Sequence, residues 1–365
     1  AEKQLMPAKI IQIVPRLAPS IGGVGDYAAL LARQLRDGHA IQSAFLIGDP
    51  AWQGAARLDG FMIERIAGQQ ANLLERSLKN LDASIVLLHY VGYGYQKRGC
   101  PIWLLRGLQS WKRQSPRHRL IVMFHELFAT GLPWQSSFWS APLQRSLTKA
   151  LALLSDARLT NLTGSGEIIA RLIGQPTSSV QVLPVFSTVG EASAEENLNA
   201  RKPHMIVFGS ASWRRQAYRS HGESLARACA TLGIETVVDI GAPLNETPRL
   251  PVALRQTGVL SALAISRELR CARAGFFTYP APLLGKSTIF AAYTAYGLIP
   301  VTYGENCGAN LDALRPEEHF LALDQTSHGV SQRCGAIARG AQRWYAAHNL
   351  AKQGELFADC IERAL

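Results

Sequence analysis

Apolar and polar residues follow one another along the chain in a pattern that predicts strands, helices and turns in regular order. The apolar run at residues 10–14 is predicted to be a strand, which Pro15 closes. Apolar residues at helical spacing predict a helix over 27–36, and a second strand follows at 41–47. A glycine-rich turn at 22–26 precedes the helix. This order of elements is typical of a doubly wound α/β domain.

The same order starts again after a polar segment near the middle of the chain. Residues 184–200 are rich in Pro, Gly, Ser, Glu and Asn and are predicted to be a linker. A strand at 205–208, a helix at 220–232 and a strand at 236–240 come next. We therefore expect an α/β fold with two Rossmann-like doubly wound domains. The expected divisions are an N-terminal domain at 1–186, a C-terminal domain at 187–347 and a final helical segment at 348–365.

The stretch 275–303 holds the strongest candidate for a ligand site. A predicted strand at 276–279 leads through the turn 285–288, Gly-Lys-Ser-Thr, into a helix predicted at 289–296. The first amides of a helix lack internal partners, and the helix dipole favours negative charge there. Lys286 adds a full positive charge, and the two hydroxyls that follow it add donors. The turn therefore predicts a cradle for phosphate or diphosphate.

The alternative for this stretch is an ordinary capped helix with a solvated lysine. A P-loop is excluded, because Ala281 stands where the first glycine of that motif belongs.

Two further polar segments follow predicted strands. His125 and Glu126 come directly after the apolar run 120–124, at the end of the strand where open α/β sheets place ligands. The segment 90–99 follows the strand at 84–89 and mixes glycines and tyrosines with Lys97 and Arg98. An aromatic and basic loop suits a sugar or phosphate ligand. The alternatives are a structural histidine and a surface loop whose tyrosines pack locally.

The glycine turn also carries a partial dinucleotide-binding fingerprint. Gly23, Gly25 and Ala28 have the spacing Gly-x-Gly-x-x-Ala, and Asp49 lies where a ribose-binding acid is expected. In that motif the glycines follow the strand directly, whereas residues 15–21 intervene here. We therefore favour a substrate loop, and keep nicotinamide cofactor binding and a plain structural turn as alternatives.

The composition is that of a basic protein, and the spacing of its cysteines shows no disulfide or metal-binding pattern. The 365 residues contain 38 Lys and Arg against 27 Asp and Glu, a net charge of +11. This balance suits nucleic acid, an anionic membrane or phosphorylated small molecules. The six cysteines are scattered, so we expect reduced thiols in a cytoplasmic protein. No apolar run has the length of a membrane span, so any membrane contact is expected to be peripheral, on the inner face.

Taken together, these motifs resemble the retaining GT-B glycosyltransferases of the family 4-like group, which use nucleotide sugars. The shared features, in chain order, are the 22–25 glycine turn, His125-Glu126, Phe208-Gly209-Ser210, the 295–301 segment Ala-Tyr-Gly-Leu-Ile-Pro-Val and the terminal helix. The resemblance implies two domains that face a cleft, with the acceptor on the first and the donor on the second. It also implies a terminal helix that packs back on the first domain.

The resemblance gives each candidate residue a role. The residues expected to act in catalysis are His125, Glu126 and Lys286. Those expected to bind the donor are Gly23, Gly25, Ser210, Arg214, Arg215, Gly285, Ser287, Thr288 and Glu305. Those expected to bind the acceptor are Asp26, Tyr93, Tyr95, Lys97 and Arg98. Fixed cations would stabilise the leaving diphosphate, so no metal ion and no cofactor are expected.

The expected partners are a nucleotide-diphosphate sugar and a saccharide or lipid-linked acceptor, as in surface polysaccharide or glycoconjugate synthesis. Nucleic acid is not expected, because the arginines are dispersed and no reading motif appears.

One departure keeps other classes open. The family carries a pair of glutamates in its donor site, and counting back from Gly297 those positions hold Leu284 and Ala292. Neither side chain can accept a hydrogen bond from a ribose or sugar hydroxyl. Glu305 is the candidate substitute. The competing classes are a non-catalytic nucleotide-sugar binding protein and an NAD-dependent oxidoreductase.

Overall fold

A computed structural model divides the chain into two compact units. One unit consists of residues 1–183 together with 350–365, and the other of residues 184–349. The predicted divisions after 186 and 347 lie within three residues of these boundaries. The structure describes residues 9–20, 22–129, 131, 134, 136–192, 197–246, 248–306, 312–323 and 330–363.

The first unit is built on an eight-stranded sheet. Its strands are β1 (Lys9–Val14), β2 (Gln42–Ile47), β3 (Arg57–Leu58), β4 (Phe61–Arg65), β5 (Ile85–Tyr90), β6 (Arg119–Phe124), β7 (Ala157–Thr160) and β8 (Gln181–Val182). They lie in the order β3-β4-β2-β1-β5-β6-β7-β8, and all neighbours are parallel except the pair β3–β4. The central strands are continuous apolar runs because helices cover both faces of a parallel sheet.

Helices complete this unit. They are α1 (Gly23–His39), α2 (Ala71–Asn80), α3 (Gly92–Tyr95), α4 (Ile102–Arg113), α5 (Ser136–Leu154), α6 (Thr163–Ile173) and α12 (Leu350–Glu362). Val86, Leu104 and Val122 belong to the core between sheet and helices. The last helix packs on α1, where the Tyr27 hydroxyl donates to Gln353 Oε1 at 2.5 Å.

The second unit repeats the architecture with six parallel strands. These are β9 (Lys202–Phe208), β10 (Thr236–Ile240), β11 (Ala253–Gly258), β12 (Ala272–Phe276), β13 (Ile299–Tyr303) and β14 (Leu321–Leu323), in the order β11-β10-β9-β12-β13-β14. Its helices are α7 (Ala211–Arg219), α8 (Gly222–Leu232), α9 (Ala262–Cys271), α10 (Thr288–Ala295) and α11 (Val330–Ala346). Met205, Val237 and Phe276 lie in its core.

Each sheet has a point where the strand order reverses. In the first unit the chain moves from β1 to β2 on one side and to β5 and β6 on the other. In the second, β9 leads to β10 on one side, and β12 and β13 lie on the other. Ligands of open α/β sheets bind at the carboxyl ends of the strands beside such a point. The fold therefore directs attention to the segments that follow β1, β5 and β6, and to those that follow β9, β12 and β13.

Several predicted turns are helical in the structure. The predicted turn 22–26 is corrected, because α1 already begins at Gly23 and contains Gly25 and Asp26. The segment 213–216, which holds the donor-binding candidates Arg214 and Arg215, lies inside α7, before the helix predicted at 220–232. The predicted loop 90–99 contains the short helix α3. Glycines and small polar residues are common both in turns and at the start of helices. A sequence pattern therefore does not separate the two.

Gly25 has a packing role that Gly23 lacks. A Cβ built on Gly25 would lie 2.5 Å from the carbonyl oxygen of Arg16, whereas nothing lies within 4 Å of a Cβ on Gly23. The backbone of α1 therefore approaches the segment after β1 closely, and the approach requires a residue without a side chain.

We expect Gly25→Ala to lower the free energy of unfolding by about 1–3 kcal/mol, because backbone must shift to admit the methyl group. Gly23→Ala is the matched control and should leave stability within about 0.5 kcal/mol of wild type. Denaturant titration of both variants measures the difference. If the two variants are equally stable, the backbone of α1 at Gly25 does not pack tightly against the Arg16 carbonyl.

No disulfide joins the cysteines that the structure describes, and Cys307 lies outside the described residues. Within the described ranges, no helix combines the length and apolarity needed to cross a membrane.

Candidate active site

His125 lies at the carboxyl end of β6 and forms one end of a buried hydrogen-bonded chain. Its Nε2 is 3.1 Å from Nδ1 of His89, and Nε2 of His89 is 2.9 Å from Oε1 of Gln12. The Gln12 amide nitrogen donates to the Ser43 hydroxyl at 3.0 Å. The hydrogen-bonded chain therefore runs from Ser43 on β2 through β1 and β5 to His125 at the end of β6, across four neighbouring strands.

This chain selects one tautomer for each histidine. Gln12 presents its carbonyl oxygen to His89, so Nε2 of His89 carries the hydrogen and its Nδ1 accepts. Nε2 of His125 then donates to that Nδ1, which leaves Nδ1 of His125 as the hydrogen-bond acceptor. The Asn161 side chain also forms a hydrogen bond with His125, which opposes the lowering of the His125 pKa by burial.

Burial keeps both rings neutral. Desolvation lowers the pKa of His125 to about 4, and it lowers the pKa of His89 well below 6.5, with the His125 charge as a second cause. The Tyr27 ring meets His125 edge-on, with centroids 5.1 Å apart, and so contributes to this enclosure.

These pKa shifts predict acid sensitivity. In the unfolded chain a histidine binds a proton near pH 6.5, whereas the folded pKa of His125 is about 4. Between these values the unfolded state holds more protons, so the free energy of unfolding should fall as pH falls from 6.5 to 4. The free energy of unfolding, measured by denaturant titration at several pH values in this range, should depend less steeply on pH for His125→Gln than for wild type. The difference in slope should correspond to at most about one bound proton. His39→Gln is the control, and an unchanged slope in His125→Gln would contradict the assignment.

The remaining candidates at this edge differ in accessibility. Gly23 and Asp26 lie in the first turn of α1, and Glu126 follows β6; all three are exposed, so a ligand can reach them. Asp49, the residue expected to hold a ribose, instead accepts from Arg16 Nε at 2.6 Å and from the Ala51 amide at 2.9 Å. The Asp49 carboxylate therefore stabilises the local loop and is already engaged by these donors. This removes the main support for a nicotinamide site.

The predicted acceptor loop is only partly accessible. Tyr95 is corrected: it is buried, and its hydroxyl donates towards the carbonyl oxygens of Ile13 and His89, so it belongs to the core. Tyr93, Lys97 and Arg98 are exposed, as an acceptor site requires.

In the second unit, the candidate anion site follows β12. Residues Ala281–Lys286 form a 3₁₀ helix, and α10 begins at Thr288. Ser287 is corrected from a ligand to a cap: it is buried, and its hydroxyl accepts from the Phe290 amide at 3.2 Å. The buried Gly285 accepts from the Val185 amide at 2.7 Å and so fixes the turn.

Lys286 keeps its charge available at this position. It is half-buried, and no carboxylate of the described chain lies within ion-pair distance of it. Thr288, also half-buried, follows at the first position of α10. Fixed positive charge at the start of a helix favours a phosphate.

The turn after β9 lies against this site. Gly209 has φ +128, and a Cβ there would lie 2.5 Å from Cδ1 of Ile289 in α10. This contact brings Ser210, which is exposed, next to the start of α10. The turn and the helix start therefore form one edge at the reversal point of the second sheet.

The two arginines of α7 have different roles. Arg214 is corrected from a donor ligand to a core residue: it is buried, its Nη1 contacts both carboxylate oxygens of Asp239 at 2.8 and 2.9 Å, and its other nitrogens bind the carbonyls of Gly209 and Ala242. Arg215 is exposed and lines a cavity of about 490 Å³. Tyr218, Arg219 and Arg249 also line this cavity.

Aromatic side chains complete the edge, and sequence reasoning missed them. His221 stacks on Tyr303 with centroids 3.7 Å apart, and Trp213 meets Tyr279 at 5.0 Å. Glu305 is exposed beside this stack, where its charge raises the pKa of His221 against a larger lowering by burial.

The positions of the absent glutamates are core positions. Leu284 and Ala292 are both fully buried among apolar residues. The departure from the glutamate pair is therefore built into the packing of this unit.

The comparisons with known proteins are structural. No family model and no curated protein sequence matches the chain. The fold is similar to an alpha-glucosyltransferase in complex with UDP-glucose and DNA containing an abasic site, with a TM-score of 0.61, 13% identity and coverage of 97% of this chain and 99% of the other. It is similar to the lipopolysaccharide outer core galactosyltransferase WaaB, with a TM-score of 0.56, 12% identity and coverage of 98% and 100%.

A third similar structure has a different activity. It is the UDP-GlcNAc 2-epimerase from Neisseria meningitidis bound to UDP-GlcNAc, with a TM-score of 0.59, 9% identity and coverage of 97% and 100%. These likenesses establish the expected fold, two Rossmann-like units as in GT-B glycosyltransferases, along nearly the whole chain. The first structure contains DNA, so the comparison gives no support to the expected exclusion of nucleic acid.

Proposed function

We propose that this protein is a glycosyltransferase that takes a sugar from a nucleotide-diphosphate donor and passes it to a saccharide or lipid-linked acceptor in the cytoplasm. The observation that carries the proposal is Lys286, a cation with no carboxylate neighbour among the described residues, at the carboxyl edge of a Rossmann-like unit. Structures of similar fold include proteins bound to UDP-glucose and UDP-GlcNAc, which adds support.

The donor diphosphate binds at the edge formed by Lys286, Thr288 and Ser210, and we propose that Arg215, from the helix α7 that follows Ser210, contributes a second cation. Departure of a nucleoside diphosphate develops negative charge on the leaving oxygen, and fixed cations stabilise that charge as it forms. Lys286 and Arg215 supply this charge, so the proposed reaction needs no metal ion.

The first unit binds the sugar and the acceptor. His125 contacts the transferred sugar, and Glu126 orients nearby groups. The acceptor is held by Asp26, Tyr93, Lys97 and Arg98, which are exposed. Retention of configuration, with the leaving phosphate acting as the base, extends the proposal by the family resemblance.

A specific observation favours a second candidate, a nucleotide-sugar binding protein without catalysis. Leu284 and Ala292 replace the glutamates that hold donor hydroxyls in the family, and both are buried. The binding protein and the enzyme share the donor site and differ only in turnover.

The test combines binding with turnover. A thermal-shift panel of UDP-, GDP- and ADP-sugars should show one class that raises the melting temperature, since a ligand of the native state stabilises it. The donor found in this way is then incubated with saccharide, lipid-linked and DNA acceptors, with and without EDTA, and products are identified by mass spectrometry. Transfer supports the enzyme, and binding without any product supports the second candidate. An epimerised donor, or no binding at all, contradicts the proposal.

A further inference from the structure

Helix α5 and Trp134, two residues before its start, expose an unusual amount of apolar surface. Trp134 is 78% exposed and Trp139 75%, and Phe138, Leu143 and Leu153 are exposed as well. These five make up half of the exposed large hydrophobic side chains in the part of the chain that the structure describes. Clustered apolar exposure of this kind marks a contact surface, whereas single exposed residues do not.

The helix is firmly attached on its other side. Leu147 and Leu151 are buried in the core of the first unit. The Thr148 hydroxyl donates to the Leu127 carbonyl at 2.9 Å. The exposed residues therefore sit on a fixed face of a rigid element.

The charged side chains of α5 itself are both basic, and the acidic residues nearest to it in sequence are Glu126 and Asp156, the latter paired with Lys112. Residues 127–155 contain no Asp or Glu, and the two cations of α5, Arg145 and Lys149, are both exposed. Two more exposed cations, Lys97 and Arg98, lie close by, because Gln144 of α5 donates to the Arg98 carbonyl at 2.9 Å. The surface is thus apolar and basic, with no acidic residue in its helical segment.

We propose that this exposed face of α5 docks the protein on an anionic lipid bilayer. Tryptophan side chains prefer the interface between headgroups and acyl chains, and a helix with an apolar face and flanking cations lies in that interface. Each Lys or Arg near an anionic surface strengthens the attachment by electrostatic attraction. The aliphatic Leu143 and Leu153 suit acyl chains, and they provide neither stacking nor phosphate contacts for a nucleic acid.

The proposal is independent of the enzymatic assignment and is tested without turnover. The full chain is mixed with vesicles of phosphatidylcholine alone, or of phosphatidylcholine with phosphatidylserine, and co-sedimentation is measured. We expect binding to the anionic vesicles only. The variants Trp134→Ser/Trp139→Ser and Arg145→Gln/Lys149→Gln should each weaken it by about tenfold or more, as expected for the loss of two interfacial contacts.

Matched controls come from α9 of the second unit and the turn before it, where Val259, Leu263, Arg267 and Arg270 are also exposed. Val259→Ser/Leu263→Ser and Arg267→Gln/Arg270→Gln should bind like wild type. Circular dichroism melts confirm that all four variants fold. The proposal is overturned if the protein binds neutral vesicles as well as anionic ones, or if the control variants lose as much binding as the α5 variants. It is also overturned if the protein binds no vesicles but does bind a DNA duplex or a second copy of itself.

Discussion

Replacing Lys286 with alanine should lower kcat by about a hundredfold or more while KM for the donor changes much less. The side chain supplies a full positive charge where the leaving diphosphate becomes more negative, and loss of one fixed donor to a developing oxyanion costs 10²–10³ in turnover. Contacts that strengthen only in the transition state affect kcat and not ground-state binding. Initial rates at several concentrations of the confirmed donor separate the two parameters.

The matched control for this experiment is Lys202→Ala. Lys202 is an exposed lysine at the first residue of β9, at the opposite end of the same sheet. It removes the same charge from the same unit and should leave kcat unchanged. If both variants retain wild-type turnover, or both lose it equally, the site after β12 does not hold the leaving group.

The second large effect concerns stability. Arg214→Ala should lower the free energy of unfolding by about 3–5 kcal/mol, because it leaves the Asp239 carboxylate buried without its cation. Both side chains are only 1% exposed. The substitution also releases the carbonyls of Gly209 and Ala242, which hold the turns after β9 and β10. Denaturant unfolding followed by fluorescence measures the loss.

Arg215→Ala tests whether the effect belongs to the buried pair. Arg215 is the adjacent residue and is exposed, so its removal should change stability by less than about 0.5 kcal/mol. The double replacement Arg214→Met/Asp239→Leu should recover part of the loss, since an apolar pair of similar volume avoids an unpaired buried charge. A small effect of Arg214→Ala would mean that the buried Asp239 carboxylate does not depend on Arg214 for its stability in the fold.

The sequence predicted the sheets well for a physical reason. Buried parallel strands must be continuous apolar runs, so 10–14, 120–124 and 205–208 stand out against their polar surroundings. The strands β3, β4, β11 and β14 were not predicted, because short or exposed strands lack that signal. The strand predicted at 276–279 was placed too late, since β12 ends at Phe276. The reversal of strand order, and with it the position of His125 and Lys286 at the ligand-binding edge, follows once the strands are known.

The individual site assignments were harder because they depend on partners far away in the chain. Arg214 and Arg215 are indistinguishable in sequence, and only the position of Asp239, 25 residues away, decides which of them is buried. Tyr95 appeared as a loop tyrosine because its acceptor Ile13 lies 82 residues away. His89 was read simply as the end of a strand, although Gln12, 77 residues distant, gives it a fixed tautomer.

The bond between Tyr27 and Gln353 joins residues 326 positions apart. The first unit therefore cannot complete its helical layer until the ribosome has made residues 350–362, whereas the second unit is continuous in sequence. Domains generally fold as they emerge during synthesis. In this protein the first unit begins to be synthesised first but is completed only after the second unit. Until then, α1 in the nascent chain is not covered by α12.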